Sequence, residues 1–144
     1  MKIFYWSPFF SKIATIQAVI RSAESLIQYE KQKKYDVSII NAIGEWEEYK
    51  KFINKKINII NLNNKNLINI IPKNSYIKSR LSYIFIFLFN FFKLKRLIKQ
   101  EQPNYLIIHL ITSLPILLSI FFKKKTKIIL RISGLPKINI LRHF

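Results

Sequence analysis

The sequence of 144 residues predicts an α/β domain with a doubly wound parallel sheet. Short runs rich in Ile alternate along the chain with longer segments in which apolar residues recur at helical spacing. The runs are continuously apolar, which is typical of strands buried on both faces of a parallel sheet. Hydrophobic residues make up 50% of the chain, so the sequence predicts a folded core in spite of its high charge.

Five segments are predicted to be strands because each is a short run of β-branched and aromatic residues. They are residues 2–6, 35–41, 56–62, 105–110 and 127–133. Gly134 and Pro136 end the last of them, since neither residue continues a strand well.

The helical spacing of apolar residues predicts a first helix over residues 13–32. Glu45, Glu47 and Glu48 favour the start of a second helix, because carboxylates stabilise a helix N-terminus, and this helix is expected to run to Lys55.

A loop rich in Asn is predicted over residues 63–75, and a third helix over residues 76–100 that stops before a proline. A short fourth helix is predicted to run to residue 122. Thr112 or Ser113 supplies its N-cap, and a proline stands in its first turn.

The charge of the chain suits an anionic partner. Lys and Arg number 25 against 7 Asp and Glu, a net charge of +18, and residues 61–144 carry +14 of it. A phosphate group, a nucleic acid and an anionic membrane surface all match such an excess, although runs of lysine also occur on solvated faces. Nucleic acid is not the predicted partner, because the aromatic residues lie in core-like runs and no RNA-binding strand signature, zinc finger or basic helix occurs.

Several kinds of enzyme and metal site are excluded by residues that the sequence lacks. It contains no cysteine, which rules out disulfides, a thiolate zinc site and a cysteine nucleophile. Two histidines cannot by themselves build a structural metal site, and no Asp-x-Asp motif occurs, so no metal site is predicted. The glycine-rich motifs of dinucleotide and NTP binding and the G-x-S-x-G motif of serine esterases are also absent.

The predicted topology indicates where functional residues should lie. In doubly wound sheets, ligands bind beyond the carboxyl ends of the strands, where the strand order reverses. The predicted strand ends place four loops at this edge: residues 7–12, 41–46, 109–113 and 131–137.

Three segments near this edge carry a family resemblance. The strand KIFYW, the strand and loop QPNYLIIHLITSLP, and the strand and turn KIILRISGLPK resemble the N-terminal, acceptor-side domain of family 4 glycosyltransferases with the GT-B fold. The resemblance covers about residues 1–138 and leaves residues 139–144 as the start of a continuation or linker. It implies a Rossmann-like domain that forms one half of a two-domain enzyme.

The resemblance implies a retaining hexosyltransferase. Such an enzyme transfers a hexose from a nucleotide sugar, a co-substrate used without another cofactor, to a polysaccharide or lipid-linked glycan. In that family the second domain binds the nucleotide sugar and carries two glutamates spaced E-x7-E. No two glutamates of this sequence stand eight positions apart, so the resemblance implies a fragment that lacks its donor domain and is inactive alone. It further implies a cytoplasmic protein, peripheral on the inner face of the cell membrane.

Candidate site residues follow from the resemblance. His109 matches the family histidine at the end of the fourth strand, whose neutral imidazole would hydrogen-bond the donor sugar. The residues alone favour a different interpretation, in which His109 caps a strand or bonds a backbone carbonyl, and the resemblance favours the contact with the sugar. Ser11 and Lys12 are candidates for the donor phosphates at the start of the first helix, although the paired glycines common in the family are absent. Phe9 and Phe10 are candidates for an apolar acceptor groove.

Two further loops supply candidates for substrate binding. Arg131, Ser133 and Gly134 end the fifth strand, where an arginine suits a phosphate and a glycine permits close approach. The alternative is a plain strand end with a solvated arginine. Trp46, which could stack on a sugar ring, and Glu45 are candidates for sugar recognition. The alternative is that Trp46 packs on its own helix and the glutamates are solvated.

The longest apolar run, residues 81–92, is too short to span a bilayer. Its twelve residues rise about 18 Å as a helix, against a hydrocarbon layer of about 30 Å. This helix is expected either to be buried against a missing domain or partner, or to lie in a membrane interface where Lys93, Lys95, Arg96 and Lys99 meet anionic head groups. A basic membrane-surface binding or interaction module without catalytic activity is therefore the alternative function.

Overall fold

A parallel sheet forms the centre of the protein. The computed structural model describes residues 1–9, 14–29, 34–70, 76–109, 117–118, 120 and 125–131. The strands are β1 (Lys2–Trp6), β2 (Asp36–Asn41), β3 (Asn58–Asn61), β4 (Tyr105–His109) and β5 (Lys127–Arg131). The helices are α1 (Ala14–Gln28), α2 (Tyr76–Glu101) and a 3-10 helix, Glu47–Phe52.

The order of the strands is β3-β2-β1-β4-β5, and every pair of neighbours is parallel. The chain runs outward from β1 through β2 to β3, returns through α2 to place β4 on the other side of β1, and continues outward to β5. The strand order therefore reverses between β1 and β4. This topology confirms the predicted fold class, a Rossmann-like, doubly wound α/β domain.

One face of the sheet packs against α1. Alternate residues of each strand point to this face. They pack against residues of α1 that are spaced three or four positions apart along the helix. The fully buried members of this core are Tyr5, Val19, Ala23, Val37, Ile39 and Trp46. The predicted α1 is confirmed over Ala14–Gln28, and the remainder of its predicted range, up to residue 32, includes residues outside those described.

The opposite face packs against α2. Its fully buried residues include Trp6 and Ile108 from neighbouring central strands and Ile86, Leu94 and Ile98 from α2. Leu118 joins this cluster and is one of the few described residues of the predicted fourth helix, most of which lies outside the described residues. The predicted third helix is confirmed, since α2 ends within one residue of the expected position.

A helix is present at the second predicted position, but it is shorter than expected. It is a 3-10 helix, Glu47–Phe52, with the Ile53 amide bonded to the Lys50 carbonyl at 3.4 Å. The cause is local, because Glu45 turns its carboxylate back onto the preceding backbone and so belongs to the turn after β2. The helix ends at Phe52, and Ile53 after it has an extended backbone conformation.

Candidate functional site

The carboxyl ends of β1 and β4 meet at the reversal of strand order. Trp6 pairs in register with Ile108, so Ser7 and His109 are the next residues at this edge of the sheet. Both are buried. In this fold, the crevice beyond these two strand ends is where ligands bind, so the described residues that line it define the candidate site.

Much of the predicted site lies outside the described residues. Ser11 and Lys12 after β1, and Ser133 and Gly134 after β5, belong to this part of the chain, as does Phe10. The loop after β2 is described in full, and His109 and Arg131 are described as the last residues of their strands.

The imidazole of His109 is buried and neutral at ordinary pH. The residue is 6% exposed, and its Nε2 atom has no hydrogen-bond partner among the described residues. Burial, and secondly the positive charge of Arg131, lowers the pKa of His109 to about 4. A neutral imidazole offers one donor and one acceptor, so His109 can hydrogen-bond a hydroxyl group at this edge.

Arg131 lies beside His109 on the neighbouring strand. The two residues are partners in the register of β4 and β5, and strand alternation places both on the face that packs against α1. Arg131 is exposed, in contrast to His109. The structure therefore brings together two predicted site residues, a buried neutral group and an exposed cation.

An open groove extends from Arg131 along α1. It has a volume of about 630 Å³, and its polar lining comprises Arg21, Ser22, Ser25, Tyr29, Tyr35 and Arg131. The Tyr5 hydroxyl and the Ser22 Oγ lie 2.8 Å apart, and burial raises the pKa of Tyr5. Two guanidinium groups and several hydroxyls suit an anionic or polyhydroxylated ligand. No sequence pattern indicated this groove, because it forms only where residues of α1 come close to Arg131 on the distant β5.

The turn after β2 is fixed by two side chains. The amide groups of Ala42 and Ile43 donate to the two carboxylate oxygens of Glu45 at 3.0 and 2.7 Å. The Asn41 Oδ1 accepts from the amides of Gly44 and Trp46 at 3.0 and 3.3 Å. These bonds hold the turn rigidly at the carboxyl edge.

Glu45, a candidate for sugar recognition, is a buried carboxyl group whose burial was not expected from the sequence. It is 2% exposed, whereas a solvated side chain was expected. Burial raises its pKa to about 7, and the backbone donors oppose that shift. Nothing in the sequence distinguishes it from Glu47 and Glu48, which are exposed.

Trp46 is fully buried in the core on the α1 face. Its ring meets Phe9 edge to face, with centroids 4.9 Å apart, and Tyr49 at 6.3 Å. Its Nε1 atom has no partner among the described residues. The burial favours the packing interpretation of Trp46 over stacking on a sugar, and Phe9 is likewise part of this core.

The four basic residues predicted to contact a membrane lie together in the C-terminal half of α2. Lys93, Arg96 and Lys99 are exposed, and Lys95 is half-buried. Within the described part of the chain, no helix has both the length and the apolar character needed to cross a bilayer. No group of three His, Asp or Glu residues there is placed to hold a metal ion.

Comparison with protein-family models, curated proteins and solved structures finds no match for this chain.

Proposed function

We propose that the chain is the acceptor-side domain of a GT-B glycosyltransferase, which transfers a hexose from a nucleotide sugar to a polysaccharide or lipid-linked glycan. The observation that carries the proposal is His109: a buried, neutral imidazole at the reversal of strand order, with its Nε2 free of partners among the described residues. Its position is the one expected for a group that hydrogen-bonds a sugar hydroxyl in the cleft.

The charge beside His109 supports the same proposal. Arg131 is next to His109 on the sheet and faces the groove along α1, where Arg21 adds a second cation. A nucleotide sugar carries a diphosphate whose negative charge grows as the sugar departs, and positioned cations stabilise that charge. His109 would orient the sugar while Arg131 faces the phosphates or an anionic acceptor.

Within this proposal, a second domain supplies most of the donor site and the pair of glutamates. The 144-residue chain would bind acceptor weakly and transfer no sugar by itself. The same proposal places the protein at the cytoplasmic face of the cell membrane, where lipid-linked acceptors are found.

Hexosyl transfer tests the proposal directly. The product of the open reading frame that carries this chain would be assayed with radiolabelled nucleotide hexoses and a lipid-linked glycan acceptor. His109→Phe should lower kcat by at least about tenfold, since it removes a hydrogen bond from a desolvated site. His143→Phe, which replaces the other histidine of the chain, is the matched control and should keep its rate. Full activity of His109→Phe would overturn the role of His109, and activity of the 144-residue chain alone would contradict the proposed division between two domains.

The alternative function, a membrane-surface module without catalytic activity, is favoured by a different observation. The outer face of α2 combines exposed apolar side chains with basic residues.

A further inference from the structure

The outer face of α2 carries a continuous apolar stripe. Its members are spaced three or four residues apart, so they lie along one side of the helix. We define the α2 stripe as Leu81, Phe85, Leu88, Phe89 and Phe92, which are between 45% and 77% exposed. The rings of Phe85 and Phe89 stack with centroids 5.8 Å apart, so the stripe presents a joined aromatic surface.

The inner face of the same helix is already occupied. Ile86, Leu94 and Ile98 are buried against the sheet, together with Asn90. The α2 stripe is therefore not part of the core and remains exposed. A contiguous exposed surface of large apolar residues is typical of an interaction site.

Cations bracket the stripe at both ends. Lys78 lies one turn before Leu81 on the same side of the helix, and Arg96 and Lys99 lie one and two turns after Phe92. All three are exposed, and α2 has no acidic residue before Glu101 at its end. The helix thus presents apolar side chains between positive charges, with no negative charge among them.

A further pair of cations lies along one side of the stripe. Lys93 places its Nζ 5.3 Å from the centre of the Phe89 ring and donates to the Asn63 Oδ1. Lys93 and Lys65 line a groove of about 400 Å³ that opens beside Phe89. This groove has room for an anionic head group next to an inserted aromatic ring.

We propose that the α2 stripe docks the protein on the surface of an anionic lipid bilayer, with its phenylalanines in the interface and the surrounding cations against the head groups. The charge pattern selects this partner, because a second copy of the chain would bring equally basic rims together. The helix lies along the membrane plane, as an amphipathic helix does. The proposal does not depend on the glycosyltransferase function.

Vesicle binding of the full 144-residue chain tests the proposal. Vesicles of phosphatidylcholine alone would be compared with vesicles in which about a third of the lipid is phosphatidylglycerol. We expect sedimentation with the anionic vesicles only, and weaker binding as salt is raised, because ions screen exposed charges. Equal binding to both kinds of vesicle, or binding to neither, would overturn the proposal.

Paired variants assign the binding to this face. Arg96→Gln/Lys99→Gln should lower the partition coefficient by about 30-fold, since each cation near an anionic surface contributes about a factor of five. Lys55→Gln/Lys56→Gln removes the same charge from an exposed loop before β3 and should change it much less. Equal losses in the two double variants would show that only total charge matters and would contradict docking through α2.

The aromatic contribution needs its own comparison. Phe85→Ser/Phe92→Ser should abolish sedimentation, whereas Tyr29→Ser/Phe52→Ser, which changes two exposed aromatic residues elsewhere, should not. Circular dichroism checks that both variants are folded. Wild-type sedimentation of Phe85→Ser/Phe92→Ser would overturn the proposal. The proposal would also be overturned if the wild type formed a dimer in solution, did not bind vesicles, and lost the dimer in Phe85→Ser/Phe92→Ser.

Insertion depth gives an independent measurement. The native tryptophans, Trp6 and Trp46, are buried, so an added tryptophan on the stripe reports separately. Phe92→Trp should shift its emission to the blue on anionic vesicles and be quenched by brominated lipid, while Phe52→Trp should do neither. Unchanged emission from Phe92→Trp on bound vesicles would contradict insertion of the stripe.

Discussion

His109 and Arg131 are register partners on β4 and β5, and the arginine contributes to the low pKa of the histidine. One residue is buried and the other exposed, although both face the α1 side of the sheet. Burial is the larger cause of the low pKa of His109, and the positive charge of Arg131 adds to it, because protonation of the imidazole would place a second positive charge beside the first. The pair therefore combines a neutral hydrogen-bonding group with a permanent positive charge.

The pKa of His109 should follow from this arrangement. Histidine-selective NMR across pH 3–8 is expected to show one imidazole that titrates near pH 4. Arg131→Gln should raise that pKa but leave it below 6.5, because burial is the larger cause and the variant does not change it. Lys127→Gln, a change of equal charge four residues earlier on β5, should have a smaller effect. A His109 that titrates normally in the wild type would show that water reaches its ring.

Stability should depend on pH through two groups that act in opposite directions. The folded-state pKa of Glu45 is raised, so its contribution to the free energy of unfolding is complete below about pH 4.5 and is lost as the pH rises to about 7. The folded-state pKa of His109 is lowered, so its contribution is complete above about pH 6.5 and is lost as the pH falls to about 4. Between pH 4.5 and 6.5 the two slopes oppose each other, and the wild type should change little.

Single variants should separate these two slopes. For Glu45→Gln, the free energy of unfolding should rise with pH over this window, since His109 alone then titrates in it; for His109→Phe it should fall. In each variant, the free energy of unfolding should change by at most about 3 kcal/mol between pH 4.5 and 6.5. Urea unfolding at several pH values measures both, and curves of equal slope for the two variants would show that neither shift exists.

Gly44 is expected to resist substitution. Its φ of +97° is a conformation that other residues rarely adopt, and an added Cβ would lie 2.7 Å from the Asn66 Cγ and 3.1 Å from the Asn66 Cα. Gly44→Ala should therefore lower the free energy of unfolding by about 2–4 kcal/mol, measured by urea unfolding. Gly44→Ala/Asn66→Ala should recover part of this loss, because it removes the side-chain clash but keeps the backbone strain. Complete recovery of the free energy of unfolding would show that the positive φ of residue 44 contributes nothing to the loss.

The strands could be predicted because a parallel sheet imposes its pattern on each segment separately. Phe4 and Tyr5 point to opposite faces, and both are buried because each face is covered by a helix. Because both faces of each strand are buried, the sequence of each strand is a continuous apolar run. This pattern does not depend on which strands lie beside it in the sheet. The positions of the strands, and which of their ends share the carboxyl edge of the sheet, were therefore accessible from the sequence, and only the end residues differ.

The turn after β2 could not be predicted, because its structure depends on which way one side chain points. Glu45 and Glu47 are two residues apart and chemically identical, yet Glu45 folds inward onto backbone amides while Glu47 forms an exposed ion pair with Lys50. The 3-10 helix and the buried Trp46 follow directly after this turn. The groove beside Arg131 was equally inaccessible, since it requires the packing of α1 against distant strands.

Asn90 connects α2 to the carboxyl edge of the sheet, and its loss should destabilise the fold. This fully buried side chain donates to the Ile86 carbonyl at 2.9 Å, and its Oδ1 accepts from the Asn63 amide at 2.7 Å. The same Asn63 amide donates to the Ala42 carbonyl at 2.6 Å, so one pair of asparagines ties α2 to the turn after β2. Asn90→Ala removes one of the two acceptors of the part-buried Asn63 amide and leaves a cavity at a fully buried position, which should lower the free energy of unfolding by about 1–3 kcal/mol in urea. Asn64→Ala, the same change at an exposed neighbour of Asn63, should cost less than about 0.5 kcal/mol. If the two variants were equally stable, the buried amide bonds would contribute nothing, and the apolar packing of α2 alone would hold that helix on the sheet.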